Sequence, residues 1–290
     1  MLLQVKNLTH VYMPGSPYEH PALNKVNLEV HKGDFLGLIG RTGSGKTTLV
    51  QHLNGLLKPS EGTILFQGRD LYGEQKPNWG EIRQKIGLVF QYPEEQLFGE
   101  TVFEDVAFGP RKLGIPEETI EERVKKALEM VTLDYDHFKE RSPFNLSRGE
   151  MRRVAMAGVL SMEPEVLVMD EPSSGLDPRG RKMLLDQVKQ FHRQAGITII
   201  FVSHNMEEVA LLANRLAVME GGQIALEGSP EEIFMEAEKL TSMGLGVPQV
   251  TRLMMELNHK GKQVKSNILS VEEARQEILN MLEKEQGGRS

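Results

Sequence analysis

The chain contains no cysteine, which excludes disulfide bonds, iron–sulfur clusters, thiolate zinc sites and cysteine nucleophiles. It also lacks a long apolar run, because the stretch over 197–202 has only the length of a strand, whereas a membrane-spanning helix needs about 20 mostly apolar residues. Its first residues lack the apolar segment of a secretory signal. These absences predict a cytosolic chain that reaches a membrane only by docking on a membrane protein.

The chain also has no excess of positively charged residues. The 290 residues carry 34 Lys and Arg against 41 Asp and Glu, which gives a formal net charge of −7. Because non-specific nucleic-acid binding requires cations that neutralise phosphates, this balance disfavours a broad nucleic-acid binder, although it leaves room for a local basic patch. With 39% hydrophobic and 26% charged residues, the composition is that of a globular protein of at most about two domains.

The hydrophobic pattern changes along the chain. Strand-like alternation dominates the first third, and the segment from about Val102 to Val131 has a helical pattern that predicts an inserted helical subdomain. Strands and helices then alternate, which predicts an α/β fold with a largely parallel sheet covered by helices. The predicted strands are 3–8, 26–30, 35–39, 63–66, 86–90, 166–169, 197–202, 216–219 and 223–226, and the predicted helices include 49–53, 180–194 and 206–213.

The last fifty residues have a different character. Residues 240–248 are linker-like, and Ser270 to Glu273 has the spacing of a capping box that opens an amphipathic run to Leu282. This pattern predicts a small helical tail. Two roles stay open for the tail, namely an oligomerisation element and a helix packed on the chain's own core.

The strongest motif is a glycine-rich loop between a predicted strand and a predicted helix. It matches the P-loop pattern at every fixed position. Glycines let the backbone wrap around phosphates, and the N–H groups of the loop and of the helix N-terminus attract the anion. We expect Lys46 to contact the β- and γ-phosphates and Thr47 to ligate Mg²⁺. The loop consists of Gly40, Arg41, Thr42, Gly43, Ser44, Gly45, Lys46 and Thr47.

A second motif lies far downstream, where a buried apolar strand ends in Asp170 and Glu171. Ligands of parallel α/β folds bind at the carboxyl ends of strands. We therefore expect Asp170 to hold the Mg²⁺ shell and Glu171 to orient or deprotonate the attacking water. Together with the P-loop, this acidic pair predicts nucleotide hydrolysis rather than binding alone.

Further motifs stand in the order of a known family, and the resemblance covers about residues 1–235. The segment 145–150 resembles the signature of ABC ATPases. Gln91, Asp177, His204 and Tyr12 are similar to that family's Q-loop glutamine, D-loop aspartate, switch histidine and adenine-stacking aromatic. The resemblance implies a P-loop NTPase of the ABC nucleotide-binding type with a C-terminal helical extension. The implied domains are an ATPase domain over 1–239, a helical subdomain inside it at about 92–163, and an extension over 240–290 that is expected to serve in dimerisation.

Four segments narrow the resemblance to the second (A-prime) ATPase of energy-coupling-factor importers, namely 12–20, 91–98, 101–110 and 151–155. In that family two ATPases drive a transmembrane scaffold subunit and an exchangeable membrane substrate-binding subunit, and the cargo is a vitamin or a transition-metal ion. The resemblance implies a peripheral location at the cytoplasmic face of the cell membrane. It favours a related second ATPase over an identical copy as the partner, and it implies no nucleic-acid partner.

The resemblance also assigns roles to residues. Two cassettes are expected to close head-to-tail around two ATP molecules, so that each site combines one chain's P-loop with the other's signature. Gln91 is expected to sense the γ-phosphate, and the segment 91–98 is expected to line a groove for the scaffold's cytoplasmic helices. The expected catalytic residues are Glu171, His204, Lys46 and Gln91. The expected Mg²⁺ ligands are Thr47, Gln91 and Asp170. The expected ATP-binding residues are Tyr12, Gly40, Arg41, Thr42, Gly43, Ser44, Gly45, Lys46, Thr47, Thr48, Asp177 and, toward the partner's ATP, Ser147 and Gly149.

The signature departs from the family's usual Leu-Ser-Gly-Gly-Gln at two positions. Arg148 replaces the first glycine and adds bulk, and Glu150 replaces the glutamine and adds negative charge near phosphates. Two outcomes stay open. In the first, the two ATP sites are unequal and the site that uses Ser147 is the weaker. In the second, the substitutions are tolerated because Ser147 and Gly149 remain. A pairing of Arg148 with Glu150 is one way in which the two changes would offset each other.

Three other functions compete with the importer. An ATPase of an ordinary ABC importer shares the core motifs and differs only in the segments 12–20 and 91–110 and in the C-terminal tail. A non-transport ABC ATPase acting on DNA or ribosomes usually carries a long coiled coil or two cassettes, and this chain has neither. A P-loop kinase or nucleotide-regulated binding module is disfavoured by the signature together with the acidic pair.

Overall fold

The structure is a computed structural model that describes residues 1–74 and 77–287 of the chain. Its strands form two sheets, one of four strands and one of six. In chain order the strands are β1 (Leu3–Tyr12), β2 (His20–Val30), β3 (Phe35–Gly40), β4 (Glu61–Phe66), β5 (Arg69–Asp70), β6 (Ile86–Val89), β7 (Val166–Asp170), β8 (Thr198–Val202), β9 (Arg215–Glu220) and β10 (Gln223–Gly228).

Helices connect these strands and make up the C-terminal region. Two short 3₁₀ helices cover Pro93–Gln96 and Pro143–Asn145. In chain order the α-helices are α1 (Lys46–Leu53), α2 (Trp79–Lys85), α3 (Val102–Lys112), α4 (Glu117–Met130), α5 (Tyr135–Phe138), α6 (Arg148–Leu160), α7 (Pro178–Ala195), α8 (Met206–Leu212), α9 (Pro230–Met235), α10 (Ala237–Ser242), α11 (Gln249–His259) and α12 (Val271–Gly287). Within the described ranges, no helix is long and apolar enough to span a membrane.

The larger sheet has the strand order β10-β9-β3-β8-β7-β6. The pairs β9–β3, β3–β8, β8–β7 and β7–β6 are parallel, and only the edge strand β10 runs antiparallel to its neighbour. Every residue of β3, β7 and β8 is buried, as is typical of parallel strands covered on both faces. The prediction of an α/β fold with a largely parallel sheet is confirmed.

Two apolar cores lie on opposite faces of this sheet. One packs the smaller, antiparallel sheet and α1 against β3 and its neighbours, with Leu8, Leu38 and Leu49 fully buried. The other packs α3, α4, α6 and α7 on the opposite face and contains Val106, Val124 and other fully buried residues. The predicted helical pattern over 102–131 corresponds to α3 and α4, which the turn ending at Pro116 separates.

The C-terminal region differs from its prediction at the start. Residues 240–248 were expected to be linker-like, but Leu240 lies in α10, is fully buried and belongs to the main core. Helix α11 has no counterpart in the sequence prediction, whereas α12 matches the amphipathic run after Ser270. A separate small core joins these elements, formed by Met254, Val264, Ile268, Ala274 and Met281. The domain limits at 239 and 240 stay a prediction.

Parallel strand order brings the predicted motifs to one edge of the sheet. The P-loop leaves β3, Gln91 follows β6, Asp170 is the last residue of β7, and His204 follows β8. Because these strands are parallel neighbours, their carboxyl ends lie side by side, and a ligand at that edge is within reach of all four segments.

Candidate active site

The P-loop has a backbone that only glycine adopts easily at two of its positions. Gly43 and Gly45 have φ of 82° and 103°, in the left-handed region that side chains disfavour. A Cβ on Gly45 would also lie 2.6 Å from the carbonyl oxygen of Ala22. Gly45 is the N-cap of α1 and supplies no side-chain cap. The first N–H groups of the helix therefore have no side-chain partner, which suits an anionic ligand.

Lys46 folds back over the P-loop. Its Nζ donates hydrogen bonds to the carbonyl oxygens of Gly40 at 2.8 Å and Arg41 at 3.0 Å. Burial lowers the pKa of Lys46, whereas the nearby carboxylates of Glu171 and Asp170 act in the opposite direction. The ammonium group thus sits between the loop and the acidic pair, where it is available to an incoming phosphate.

A buried hydroxyl of the same loop is without a partner. The Oγ of Ser44 is inaccessible to solvent and makes no hydrogen bond, although an unpaired buried polar atom is costly. A phosphate bound in the loop would provide an acceptor in its vicinity. The chemistry and backbone of the P-loop therefore fit a nucleotide phosphate.

Asp170 lies at the end of β7 and is 6% exposed. Burial raises its pKa, while a hydrogen bond from the Thr47 side chain and the charge of Lys46 act against that rise. Two of the three predicted Mg²⁺ ligands, Thr47 and Asp170, are thus in direct contact. Within residues 1–74 and 77–287 no cluster of three His, Asp or Glu side chains is arranged to hold a metal by itself.

Glu171 is the point where three of the predicted motifs meet. Its Oε2 accepts a hydrogen bond from Nε2 of Gln91 at 3.2 Å, and the Nδ1 of His204 lies 3.2 Å from the same oxygen. Glu171 has φ of 48°, a left-handed conformation that costs a non-glycine residue on the order of 1–3 kcal/mol. All four predicted catalytic residues therefore occupy one edge of the sheet, in the predicted arrangement of loops.

Tyr12 stands at the end of β1 beside α1. Its hydroxyl is 3.2 Å from Oγ1 of Thr48, and its ring packs edge-on against His10 with centroids 4.5 Å apart. His10 in turn contacts His52 through an Nδ1–Nε2 distance of 3.1 Å. The ring of Tyr12 is 37% exposed, so it has a free surface close to the P-loop helix.

The signature serine caps a helix. Ser147 is the N-cap of α6 and forms a capping box with Glu150. The Ser147 hydroxyl donates to Oε2 of Glu150 at 2.7 Å, and the Ser147 N–H donates to the same oxygen at 2.8 Å. These hydrogen bonds lower the pKa of Glu150. The partner of Glu150 is therefore Ser147 and not Arg148, so the proposed offset by an Arg148–Glu150 pair is not present.

Two other predicted residues lie apart from the P-loop of this chain. Asp177 is the N-cap of α7 and accepts a hydrogen bond from the N–H of Gly180 at 2.7 Å. Gly149 borders open space, since a Cβ there would meet nothing within 4 Å. In the described part of the chain neither Ser147 nor Asp177 hydrogen-bonds residues 40–48. Their predicted ATP contacts therefore require a second cassette.

Sequence reasoning assigned no role to one buried charge pair beside the site. Arg152 on α6 and Glu94 in the segment after Gln91 form an ion pair whose side chains are 6% and 7% exposed. The sequence did hold a signal, because Arg152, Met156 and Leu160 are spaced by four residues and share the buried face of the helix. A cation on an otherwise apolar helical face requires a buried partner.

Comparisons with known proteins agree with this geometry. The family pattern of the ABC transporter matches residues 23–174. The energy-coupling factor transporter ATP-binding protein EcfA2 of Clostridium perfringens is 51% identical over 282 residues, which cover 97% of this chain and 99% of the relative. The structure of cbiO1 from Clostridium perfringens, part of the ABC transporter complex cbiONQ, has a TM-score of 0.73 at 38% identity and covers 88% of this chain and 98% of that chain.

A third similar protein is dimeric. The post-hydrolysis structure of the ATP-binding cassette MJ0796 with ADP and Pi has a TM-score of 0.70 at 27% identity and covers 79% of this chain and 99% of that chain. Fold, site and family pattern together define an ATP-binding and ATP-hydrolysing cassette, and the chain belongs to the ABC transporter family. Within that family it groups with the ATP-binding proteins of energy-coupling factor transporters.

Proposed function

We propose that this chain is one of two related ATPases that drive an energy-coupling factor importer from the cytoplasmic face of the cell membrane. Its partners in the proposal are the second ATPase, a transmembrane scaffold subunit and a membrane subunit that binds the cargo, a vitamin or transition-metal ion. The observation that carries the proposal is the convergence of Gln91 and His204 on Glu171 at the edge of the sheet where the P-loop begins.

Mg²⁺ is part of the proposal. Thr47 and Asp170, which are joined by a hydrogen bond, would hold the ion together with Gln91, and the nucleotide phosphates would supply the remaining oxygens. Mg²⁺ is commonly bound in this way, by one or two protein side chains plus substrate phosphates. When bound, it supplies neutralisation of the negative charge that develops on the phosphate oxygens.

The chain's own side chains perform the remaining steps. The carboxylate of Glu171 orients the attacking water and accepts its proton, and His204 holds that carboxylate in place from β8. The ammonium of Lys46 leaves the carbonyl oxygens of Gly40 and Arg41 and pairs with the phosphates. Gln91 donates a hydrogen bond to Glu171 and reports the γ-phosphate to the segment that follows it.

The second half of each site comes from the partner cassette. The N-terminus of α6, with the open backbone at Gly149, offers N–H groups to the γ-phosphate held by the other P-loop, and the Ser147 hydroxyl would join them on release from Glu150. Asp177 at the start of α7 would contact the partner at the same interface. The dimeric form of the similar cassette MJ0796 supports a paired arrangement.

A groove beside the Gln91 segment is the proposed docking site of the scaffold. Phe98 and Phe108 form its exposed rim, 60% and 43% exposed, with their rings edge-to-face at 4.8 Å. Leu97, Val159 and Met162 line it further. Exposed aromatic side chains over an apolar floor suit an apolar helix of a membrane subunit. The groove belongs to the segment that Gln91 begins, so the proposed occupant is a cytoplasmic helix of the scaffold.

Purification from membranes tests the proposal. The tagged chain, expressed in its native cell and extracted in detergent, should co-purify with a second ATPase and membrane subunits and should hydrolyse Mg-ATP. Lys46→Ala should abolish turnover but retain the complex, while Phe98→Ala should lose the membrane subunits but retain ATP binding. Lys125→Ala on α4 and Met183→Ala on α7, which are both exposed, are the matched controls. A chain that hydrolyses ATP but co-purifies only with nucleic acid or ribosomes would overturn the proposal.

A further inference from the structure

Glu171 has a backbone conformation that the rest of the molecule must maintain. Its φ of 48° is unfavourable for a residue with a side chain. The three residues after it, Pro172, Ser173 and Ser174, lead away from the sheet without regular secondary structure. The N–H of Glu171 donates to the carbonyl oxygen of Val202 at 3.0 Å, and the carbonyl oxygen of Glu171 accepts from the N–H of Ser174 at 3.1 Å, but neither hydrogen bond holds the carbonyl groups of Pro172 and Ser174. The direction of the Glu171 carboxylate therefore depends on what holds 172–174.

Arg152 holds this segment from the side of α6. Its Nη1 donates to the carbonyl oxygens of Pro172 at 3.0 Å and Ser174 at 3.1 Å. The other edge of the same guanidinium donates to both oxygens of Glu94, each at 3.0 Å. The fork geometry of arginine allows these four hydrogen bonds at once, which a lysine cannot reproduce. Glu94 thus orients the group that holds the segment.

Glu208 holds the same segment at a different residue, Ser173. This carboxylate on α8 is 2% exposed, and its Oε2 accepts hydrogen bonds from the hydroxyls of Ser173 and Ser203, both at 2.8 Å. Ser203 is the residue before His204. A buried carboxylate therefore joins Ser173, two residues after Glu171, to Ser203. The buried guanidinium of Arg152 binds the carbonyl oxygens on either side of Ser173.

Ser174 is hydrogen-bonded by both Arg152 and Gln91. Its carbonyl oxygen accepts from Arg152, and its hydroxyl accepts from Nε2 of Gln91 at 3.4 Å. Gln91 and Glu94 belong to the same segment after β6, so that segment reaches 172–174 by two routes. One route is direct through Gln91, and the other passes through the ion pair of Glu94 with Arg152.

We infer that Arg152, oriented by Glu94 and acting together with Glu208 on segment 172–174, is a positioning residue that keeps Glu171 in its left-handed conformation with the carboxylate directed at the site of hydrolysis. The hydrogen bonds of Arg152 go to Glu94, Pro172 and Ser174 and not to the P-loop, so we expect the pair to act on turnover and not on ATP affinity. This inference rests on the proposed role of Glu171 as the group that activates water.

The experiment removes the charge of Glu94 and keeps its shape. Glu94→Gln is made in the full chain, purified in the complex described above, and compared with Glu163→Gln. Glu163 forms a similar Arg–Glu ion pair with Arg123 at 3.0 Å in the same helical region, away from 172–174. Turnover is measured per ATP-binding site, counted by equilibrium binding of a fluorescent ATP analogue, so that misfolded protein does not enter the rate.

We expect Glu94→Gln to lower turnover per site about tenfold with a KM for ATP within twofold of the wild type, and Glu163→Gln to change neither by more than twofold. Arg152→Lys, which keeps the charge without the fork, should resemble Glu94→Gln. Combined with Gln91→Ala, Glu94→Gln should lower turnover by less than the product of the single effects, because both act on Ser174.

Other results overturn the inference. The pair would be merely structural if Glu94→Gln kept wild-type turnover per site or lost only ATP-binding sites. The same conclusion would follow if the effects of Gln91→Ala and Glu94→Gln on turnover multiplied. Failure of the proposed function is distinguished from these results, because in that case the wild-type complex itself would retain its turnover after Glu171→Gln.

Discussion

The Nδ1 of His204 lies 3.2 Å from Oε2 of Glu171 across the gap between two neighbouring parallel strands. The two residues are 33 positions apart in the chain; Glu171 directly follows the last residue of β7, and His204 is the second residue after β8. A histidine that contacts the carboxylate from the adjacent strand limits its rotation. This relationship makes Glu171 the residue at which removal of charge should affect chemistry most directly.

Replacement of Glu171 by glutamine is expected to lower ATP turnover by at least about 100-fold, since loss of a general base removes this much or more. Binding of ATP should persist, because Gln keeps the shape of the side chain and the P-loop is unchanged. Turnover and equilibrium ATP binding are measured on the same preparation. Glu81→Gln, at an exposed position of α2, serves as the control and should leave both quantities unchanged.

Removal of the Tyr12 ring should weaken ATP binding about threefold to tenfold, because stacking of one aromatic ring contributes about 0.5–1.5 kcal/mol. Tyr12→Phe keeps the ring and loses only the contact with Thr48, so its affinity should stay close to that of the wild type. Titration with ATP and with GTP measures both effects. Equal affinity in Tyr12→Ala and Tyr12→Phe would show that the ring does not contact the base.

The signature variant Arg148→Gly with Glu150→Gln should raise ATP turnover by a few-fold. In the wild type the Ser147 hydroxyl donates to the Glu150 carboxylate, so that its proton is directed away from a phosphate, and the carboxylate repels that phosphate. Steady-state turnover of the assembled cassettes measures the effect. Unchanged turnover would mean that the substitutions are tolerated and that the two sites are equal.

The chain contains a matched control for this variant. Ser229 and Glu232 form a second capping box of the same geometry at the start of α9, with a Ser229 N–H to Glu232 distance of 2.8 Å. Glu232→Gln makes the same chemical change outside the predicted site. It should leave turnover unchanged, so that any gain in the signature variant is separated from a general effect of capping.

The two capping boxes also predict a pH dependence of stability. Hydrogen bonds from Ser147 lower the pKa of Glu150 below that of an unfolded glutamate, which is about 4.3. The ionised form is therefore favoured in the folded state, and its stabilisation is present above this pH and lost as the pH falls through the lowered pKa. The Tm difference between wild type and Glu150→Gln should be present at pH 7, shrink as the pH falls below about 4.3, and disappear only below the lowered pKa of Glu150.

Substitution of two buried residues tests whether the main core and the C-terminal tail unfold as separate units. Leu240 packs in the main core and Met254 in the small C-terminal core, and both are fully buried. Leu240→Ala should lower the free energy of unfolding by about 2–5 kcal/mol and raise amide exchange in the strands of the larger sheet. Met254→Ala should raise exchange within 249–287 only. Faster exchange throughout the chain in both variants would show one cooperative unit.

Local patterns were enough to predict most elements of the ATPase core. The glycine spacing of the P-loop, the apolar strand before Asp170 and the helical pattern over 102–131 each reflect a constraint that acts within a few residues, namely backbone freedom or hydrophobic periodicity. The C-terminal region was less predictable. Leu240 reads as part of a polar, glycine-containing stretch, and its burial depends on a surface that distant residues create.

The amino-acid sequence by itself determined which residues are expected to carry the chemistry, because phosphate, Mg²⁺ and water each require particular functional groups in short, recognisable segments. Only the tertiary structure decided how those groups are held. Three interactions depend on distances and directions that arise when separate elements pack. They are the ion pair of Arg152 with Glu94, the hydrogen bond of Ser173 to Glu208 and the hydrogen bond of Ser147 to Glu150. A charged side chain does not reveal its partner in a sequence, since the partner is selected by geometry and by the cost of leaving a buried charge unpaired.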